Sequence, residues 1–338
     1  MILIDSLYIN AGGGIVLLKY LVKELQKHQI KFRMIVDERA QSHFVHVKDK
    51  MVMRASLSNR QHFYNTLSLD FTSVFCFGNI PPTRKLNVPV YTYYHNVNML
   101  TLKGWPDLKT KMAVWAKREY IKTLRRHTDY WFVQTENTAT EVYRHLDANW
   151  SKIQLYPFYE LPEGLESLSQ ATERNDYALV GNYNFGAKGH DQLCDAWVIL
   201  KERGLTPRLH ITISDDNVVF LTKVKRLCDK GVNIINHGIV PFNETVSIYA
   251  KTKAVVYPSL NESLGLGIIE AIHGGCDIIA SDLPFAWSIC NPSAVFDRES
   301  PESIADAVMD YEKGKTNKTT IKINNMIEQL IQVVTTVS

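Results

Sequence analysis

The chain has 338 residues, 45% of them hydrophobic and 22% charged, with a formal net charge of +3. That length suits two domains of about 150 residues each, and the composition excludes the disordered, fibrous and membrane-spanning classes, because no window nears about 18 uninterrupted apolar residues. The opening M-I-L-I-D-S-L lacks a basic flank and long apolar run, and the five cysteines are odd in number with no C-x-x-C spacing, which points to free thiols in a reducing, cytoplasmic setting. Residues 1–160 carry 22 Lys+Arg against 13 Asp+Glu, a net of +9, and the remainder a net of −6. This asymmetry points to one domain facing an anionic surface.

In chain order, Met1–Ile4 reads as a strand that runs through Asn10 and Ala11 to three consecutive glycines, 12–14. A helix with Ile15, Leu18, Leu21, Val22 and Leu25 on one face follows, then a strand over 32–36. Glycines at a strand-to-helix turn let backbone amides approach a ligand, while a tight packed turn is the plain alternative. The spacing is not the dinucleotide fingerprint, which needs glycine where Leu17 stands. Strands are expected over 72–78 and 88–94, the second ending on His95-Asn96. A polar group at the carboxyl end of a buried strand projects into the crevice of an open α/β sheet, so His95 is a candidate site residue, with a hydrogen-bonded core histidine as the alternative.

Residues 107–127 read as a long helix with Ala113, Ala116, Tyr120, Ile121 and Leu124 on the apolar face. Lys111, Arg118, Lys122, Arg125 and Arg126 gather opposite, and Trp115 falls among them. A tryptophan in a basic face suits an anchor on an anionic membrane surface; a solvated basic face is the alternative. No nucleic-acid motif is present, so nucleic acid is not an expected partner. A strand over 129–135 passes into a helix capped by Thr135. Residues 157–176, polar with two prolines and a glycine, read as a linker.

The second half restarts the alternation, with a strand over 177–180, a loop Gly181 to His190, a helix from Asp191 and a strand over 208–213. Gly181 and Gly186 have P-loop spacing, but Ala187 displaces the lysine and Gly189 stands where Ser/Thr would hold magnesium, so this is not a P-loop. A lysine at a glycine-lined helix start still suits a diphosphate, which singles out Lys188. A helix over 217–230, a strand over 232–235, a loop through Pro241 and a helix over 243–251 follow. Glu302–Met309 is amphipathic, and 321–334 reads as a terminal helix.

The most informative stretch is Tyr257–Leu283, a βαβ unit with Glu262 and Glu270 eight positions apart and Gly265 and Gly267 between them. Two such carboxylates can be a glycosidase acid/base pair or ligand-binding groups. Glu262-x7-Glu270, within P-S-L-x-E-S-L-G-L-x-x-x-E-A and followed by G-G-C-x-I-I-A-S-D-L-P, resembles the retaining family-4 glycosyltransferases of GT-B fold. Lys188-Gly189-His190 before a helix, Gln134-Thr135-Glu136 after a strand and the early glycine loop are similar to that family's features in the same order.

The resemblance implies an α/β GT-B architecture, two Rossmann-like domains facing across a cleft. The expected division is an acceptor-side domain over 1–160, a linker over 161–176, a nucleotide-sugar domain over 177–310 and a helical tail over 311–338. It implies that Glu270 binds the ribose and Glu262 the donor sugar. Lys188 and the amides around Ser263, Leu264, Gly265, Gly13 and Gly14 would bind the diphosphate, with Asn182 on the same phosphate-side loop. Ile239 and Val240 would meet the base, and His95 the transferred sugar. Many relatives carry an arginine shortly before the lysine; here the loop offers Asn182 and Asn184 instead, so either Lys188 and the amides suffice or another cation completes the site.

The expected activity is a retaining, metal-independent glycosyl transfer from a UDP- or GDP-linked sugar, with no metal or other cofactor. The expected acceptor is a glycan, lipid-linked, in O-antigen, capsule or lipopolysaccharide assembly. The enzyme would be cytoplasmic and peripheral on the inner face of the membrane. A soluble acceptor, or a catalytically silent scaffold that only binds, are the alternatives.

Overall fold

The computed structural model describes the chain except for residues 68–69, 102–106, 171–173, 184–185 and 337–338, and the side chains of 169 and 170. The predicted Asn184 therefore lies outside the described residues. The chain divides into two compact units, the first built on Met1–Leu102, Leu108–Glu160 and Asn324–Ser338, the second on Leu161–Ile323.

The first unit runs β1 (Ile2–Asp5), α1 (Gly12–Lys27), β2 (Phe32–Asp37), β3 (Lys50–Met53), α2 (Leu57–Thr66), β4 (Ser73–Cys76), β5 (Val90–Tyr94), α3 (Asn98–Thr101), α4 (Leu108–Thr123), β6 (Tyr130–Val133), α5 (Glu136–Leu146) and β7 (Ile153–Leu155). All seven strands are parallel, in the order β3-β2-β1-β4-β5-β6-β7. Strands β1, β4 and β5 are buried at every position, as expected of parallel strands covered on both faces. Helix starts are set locally: Ser56 accepts from the Asn59 amide and Thr135 from the Thr138 amide.

The second unit runs β8 (Asp176–Leu179), α6 (His190–Glu202), β9 (Leu209–Ile211), α7 (Val218–Asp229), β10 (Ile234–Asn236), α8 (Val246–Tyr249), β11 (Thr252–Tyr257), α9 (Leu266–His273), β12 (Asp277–Ser281), α10 (Pro284–Ile289), β13 (Cys290–Asn291), β14 (Ala294–Phe296), α11 (Pro301–Glu312) and β15 (Thr320–Ile321). Its main sheet is parallel, in the order β10-β9-β8-β11-β12-β14. Counted from each unit's own first strand, both sheets begin 3-2-1-4-5-6, the doubly wound order. Each therefore has a switch point between its first and fourth strands, where chain direction opens a crevice at the carboxyl ends.

Three expectations change. The segment read as a helix over 321–334 splits: β15 pairs antiparallel with β13, and α12 (Ile327–Thr335) belongs to the first unit. There the Met326 amide donates to the Pro157 carbonyl at 2.7 Å, Ser73 Oγ donates to the Val334 carbonyl, and Leu330 and Val334 are fully buried. The start of the 157–176 stretch is not a solvated linker. Phe158 is fully buried, with its ring 5.2 Å from that of Tyr93.

Helix α4 is also rotated from the predicted face. Val114 and Ile121 are its buried residues, while Ala113 and Ala116 are exposed. Alanines carry too little apolar surface to orient a helix, and Ile121 seats in a cluster with Tyr94, Leu100 and Trp131 that does.

Candidate functional site

In the second unit the two loops flanking the switch point are those after β8 and β11, and they carry Lys188 and Glu262. Lys188 Nζ donates to Glu262 Oε1 at 2.6 Å and to the Tyr257 hydroxyl at 3.2 Å, and lies 5.0 Å from the Tyr257 ring centre. Burial works to lower the Lys188 pKa, but the Glu262 carboxylate and Tyr257 outweigh it and hold the ammonium above the usual lysine range. Burial beside Glu262 pushes the Tyr257 hydroxyl up to about 12.

Backbone contacts join the two loops. The Leu260 amide donates to the Ala187 carbonyl at 2.8 Å. Gly189, at φ +72°, sits so close that a Cβ there would lie 2.4 Å from the Pro258 carbonyl oxygen, which makes glycine obligatory. A cation that sequence reasoning passed over completes the clamp. Arg298, only 7% exposed, donates through Nε to the Pro258 carbonyl at 3.0 Å and through Nη2 to the Gly186 carbonyl at 2.9 Å. Its only signal in the sequence is a charged residue just after a short apolar run, and nothing in that spacing ties it to a loop 112 positions away.

Helix α9 starts on Gly265, at φ +69°, with no side-chain cap, and α6 starts the same way on Gly189. Two uncapped N-termini thus flank the Lys188–Glu262 pair, a setting suited to an anion. Leu264 is buried and Ser263 partly exposed on the approach to Gly265. Gly267 lets α9 sit beside β8, because a Cβ there would lie 3.2 Å from the Tyr257 hydroxyl and 3.4 Å from the Val180 carbonyl oxygen. Glu270 is 6% exposed and accepts from the Tyr249 hydroxyl at 3.0 Å. Burial raises its pKa to about 7, the Tyr249 hydrogen bond working against that rise. The two carboxylates thus have different partners and environments.

Three further predicted residues, Asn182, Ile239 and Val240, lie on other parts of this unit's loops. Asn182 is exposed, and its Oδ1 accepts from the Tyr183 and Ser214 amides at 2.8 and 3.0 Å, so it ties its own loop to the one after β9. Ile239 and Val240 lie on the loop after β10, the edge strand, with Ile239 74% exposed.

In the first unit, Gly13 and Gly14 occupy the first turn of α1, another helix whose N-cap, Ala11, makes no side-chain bond. A Cβ on Gly14 would lie 3.2 Å from His95 Cε1, so the glycine turn and the histidine, 81 positions apart, meet. His95 stacks on Phe77 at 4.8 Å, and its Nε2 lies 3.0 Å from the Phe77 carbonyl oxygen. Its amide donates to Asn79 Oδ1 at 2.7 Å. Burial lowers the His95 pKa to about 4, so the ring is neutral at pH 7; with Nε2–H on the Phe77 carbonyl, Nδ1 is the acceptor.

The basic face predicted for α4 is largely committed. Arg118 Nη1 donates to the Leu100 carbonyl and its Nε and Nη2 to Glu119, Lys122 pairs with Asp147 at 2.8 Å, and Arg125 donates to the Lys122 carbonyl. Lys111 and Trp115 are exposed, and Trp115 is joined by Leu108 and Met112 in an exposed apolar stripe at i, i+4 and i+7. Among the described residues, no helix is long and apolar enough to cross a membrane. The one group there of three ligating side chains close enough to share an ion, Glu24, His28 and Glu328, joins α1 to α12 and contains no predicted site residue.

Residues 165–329 match the protein-family model described as Glycosyl transferases group 1. The chain is 37% identical over 57 residues to the O-antigen chain mannosyltransferase RfbU of Salmonella typhimurium, an alignment spanning 17% of this chain and 16% of that protein. Among solved structures it is similar to Anabaena Alr3699/HepE, in complex with UDP and glucose, with a TM-score of 0.66 and 11% identity over 93% of this chain and 90% of that one. It is similar also to the apo lipopolysaccharide outer core galactosyltransferase WaaB, with a TM-score of 0.66 and 12% identity over 98% and 94%. At such identities the likeness speaks for architecture, and it agrees with the two parallel sheets. The chain has the GT-B fold, and the half that holds Lys188, Glu262 and Glu270 carries the group 1 glycosyl transferase match.

Proposed function

We propose that this chain is a retaining glycosyltransferase that moves a sugar from a UDP- or GDP-linked donor to a glycan acceptor in surface-polysaccharide assembly, without a metal. The observation that carries this reading is the Lys188–Glu262 pair at 2.6 Å, held at a switch-point crevice between two uncapped helix N-termini. In the absence of donor, the two groups hold each other in place. When a diphosphate arrives, Lys188 and the amides around Ser263, Leu264 and Gly265 take its oxygens, and Glu262 takes hydroxyls of the donor sugar. Breaking the anomeric C–O bond puts negative charge on the departing diphosphate, which lysine and oriented amides stabilise where they already stand. The new bond forms to the acceptor oxygen on the same face, and the acceptor's proton leaves to the departing diphosphate.

Glu270 faces the ribose in this reading. A carboxyl with a pKa near 7 ionises readily once two hydroxyls donate to it. Exposed Ile239 offers apolar surface for a base to cover, with Val240 beside it. Gly13, Gly14 and neutral His95 supply amides and an acceptor nitrogen to a sugar or phosphate. Supporting the polysaccharide assignment are the RfbU and WaaB similarities; supporting UDP is the HepE complex. A peripheral membrane position at the cytoplasmic face is supported by the Leu108, Met112, Trp115 stripe with Lys111 exposed beside it.

The test is turnover of UDP-, GDP-, ADP- and dTDP-sugars by the full chain, with the product anomer read by NMR and EDTA present in a parallel arm. Retention, indifference to EDTA, and loss in Glu262→Ala but not in Ser288→Ala are expected. An inverted product, abolition by EDTA, or equal activity in both variants would each defeat part of the reading. Flotation with anionic vesicles tests the membrane part: Trp115→Ala with Lys111→Gln should release the protein, and wild type that never floats rejects it.

A further inference from the structure

The first unit has a crevice of its own, and its chemistry differs from the donor side. A cavity of about 830 Å³ opens at the carboxyl ends of β1 to β5, over the switch point between β1 and β4. Tyr8 and Asn10 reach it from the loop after β1, Asn79 from the loop after β4, and Asn96 from the loop after β5. Tyr120 of α4 closes one side. Amide side chains beside aromatic rings are the partners a sugar ring takes, planar hydrogen bonds at its rim and apolar contact on its face.

Backbone strain marks the same place. Of the four described non-glycine residues with positive φ, two line this cavity: Tyr8 at +79° and Asn79 at +66°. Asparagine tolerates that region; a bulky tyrosine there is an outlier that the surroundings must enforce, and such strain gathers at ligand sites. The Tyr8 amide is pinned to Asp37 Oδ2 at 3.2 Å, and its hydroxyl is buried with no hydrogen-bond partner among the described residues.

The charge is the decisive feature. Three cations and one carboxylate line the cavity: Arg39, Arg54, Lys117 and Glu38. Arg39 is already held by both oxygens of Asp37. Arg54 and Lys117 are exposed and have no carboxylate partner among the described residues. They come from different elements, β3's following loop and α4, and face one cavity. Two cations without a carboxylate partner among the described residues, over a lining suited to a sugar, call for an anion attached to a carbohydrate.

We infer that this cavity binds the glycan acceptor through an anionic substituent, a carboxylate or a phosphate, with Arg54 and Lys117 setting the preference for charge. The inference rests on the glycosyltransferase reading for the word acceptor, while the binding itself is independent of it. Carboxylate would come from an acidic sugar and phosphate from a phosphorylated or diphosphate-linked one.

The experiment is equilibrium binding to the full chain, by NMR titration, of methyl glucoside, methyl glucuronide, glucose 6-phosphate and inorganic phosphate, with UDP titrated separately. At least one anionic sugar should bind saturably and at least tenfold more tightly than methyl glucoside and inorganic phosphate. Arg54→Gln with Lys117→Gln should remove that preference, and Tyr8→Phe should weaken it a few-fold, with UDP affinity unchanged. Preference for the glucuronide identifies an acidic sugar as the source, and preference for the sugar phosphate a phosphorylated one. Equal binding of the neutral glycoside, binding untouched by the double variant, or no binding of any probe overturns the inference. UDP binding intact in that last case leaves the donor reading standing; anionic sugar bound without UDP does the reverse.

Discussion

The two units repeat one topology and treat charge in opposite ways. In the second, opposite charges meet inside the crevice: Lys188 on Glu262, with Glu270 buried nearby on the next helix. In the first, the ion pair lies beneath the crevice. Asp5 at the end of β1 holds Arg60 of α2, which is 2% exposed, through Nε and Nη2 at 3.0 and 2.8 Å, and accepts from the Tyr64 hydroxyl at 2.7 Å. Arg60 spends its other nitrogen hydrogens on the carbonyls of Ile80 and Pro81. One pair stands where the proposed donor would meet it; the other is scaffolding that fixes the loop carrying Asn79. Shared strand order sets where a crevice opens, and the side chains at the loop ends decide what it does.

Breaking the scaffold pair should have the largest effect. Arg60→Ala leaves Asp5 buried without its cation, and a loss of about 3–5 kcal/mol is expected in urea unfolding. If that variant unfolds with wild-type stability, the pair does not support the first unit. On the other side, Lys188→Ala should lower kcat for the donor by about 10²- to 10³-fold while leaving thermal unfolding nearly unmoved. A variant that unfolds early and turns over normally would reverse the contrast between the two pairs.

Glu270 sharpens the comparison through pH. Its folded pKa of about 7 lies above the ordinary 4.5, so its contribution to stability is fully present below pH 4.5 and is lost as pH rises through 7. The change is about 3 kcal/mol. Glu270→Gln should flatten that part of the stability profile between pH 4.5 and 8, and a wild-type profile already flat there would show that the carboxyl is not strained by burial. The smallest effect is expected at the loop clamp. Arg298→Lys keeps charge but cannot reach both carbonyls, so KM for the donor should rise about tenfold, equivalent to about 1.4 kcal/mol, with kcat little changed. A fall in kcat at constant KM would place Arg298 in the chemistry and not in positioning.

Much of the fold was legible in the chain. Apolar runs at 1–4, 177–180, 254–257 and 278–280 announced strands because a doubly covered parallel strand must be apolar on both faces. Strands β3, β7 and β14 went unread. They are three or four residues long, and β3, β7 and β14 end their sheets, so β3 keeps Met51 and Val52 exposed and carries no burial signal to read. At the site, glycine spacing and the two glutamates singled out Lys188, Glu262 and Glu270, because close backbone approach leaves so few residue types. Asn182 was singled out by the same loop, but its side chain turns to the amides of its neighbours. Arg298, Arg60 and Tyr8 left no trace in local pattern, since each acts through partners distant in sequence or through a backbone angle that no residue type spells.

By itself, then, the sequence determined the alternation of strands and helices and the residues that glycine loops present, because burial period and steric permission are local properties. Tertiary structure alone decided which loops meet. It brought Gly14 to His95, Lys188 to Glu262 and Arg298 to two carbonyls, and sent α12 back to the first unit. It also left Arg54 and Lys117 over a cavity with no carboxylate partner among the described residues, while committing Arg118 and Lys122 elsewhere. A charge's meaning depends on what stands within a few ångströms of it, and that distance is set by packing between elements far apart in the chain.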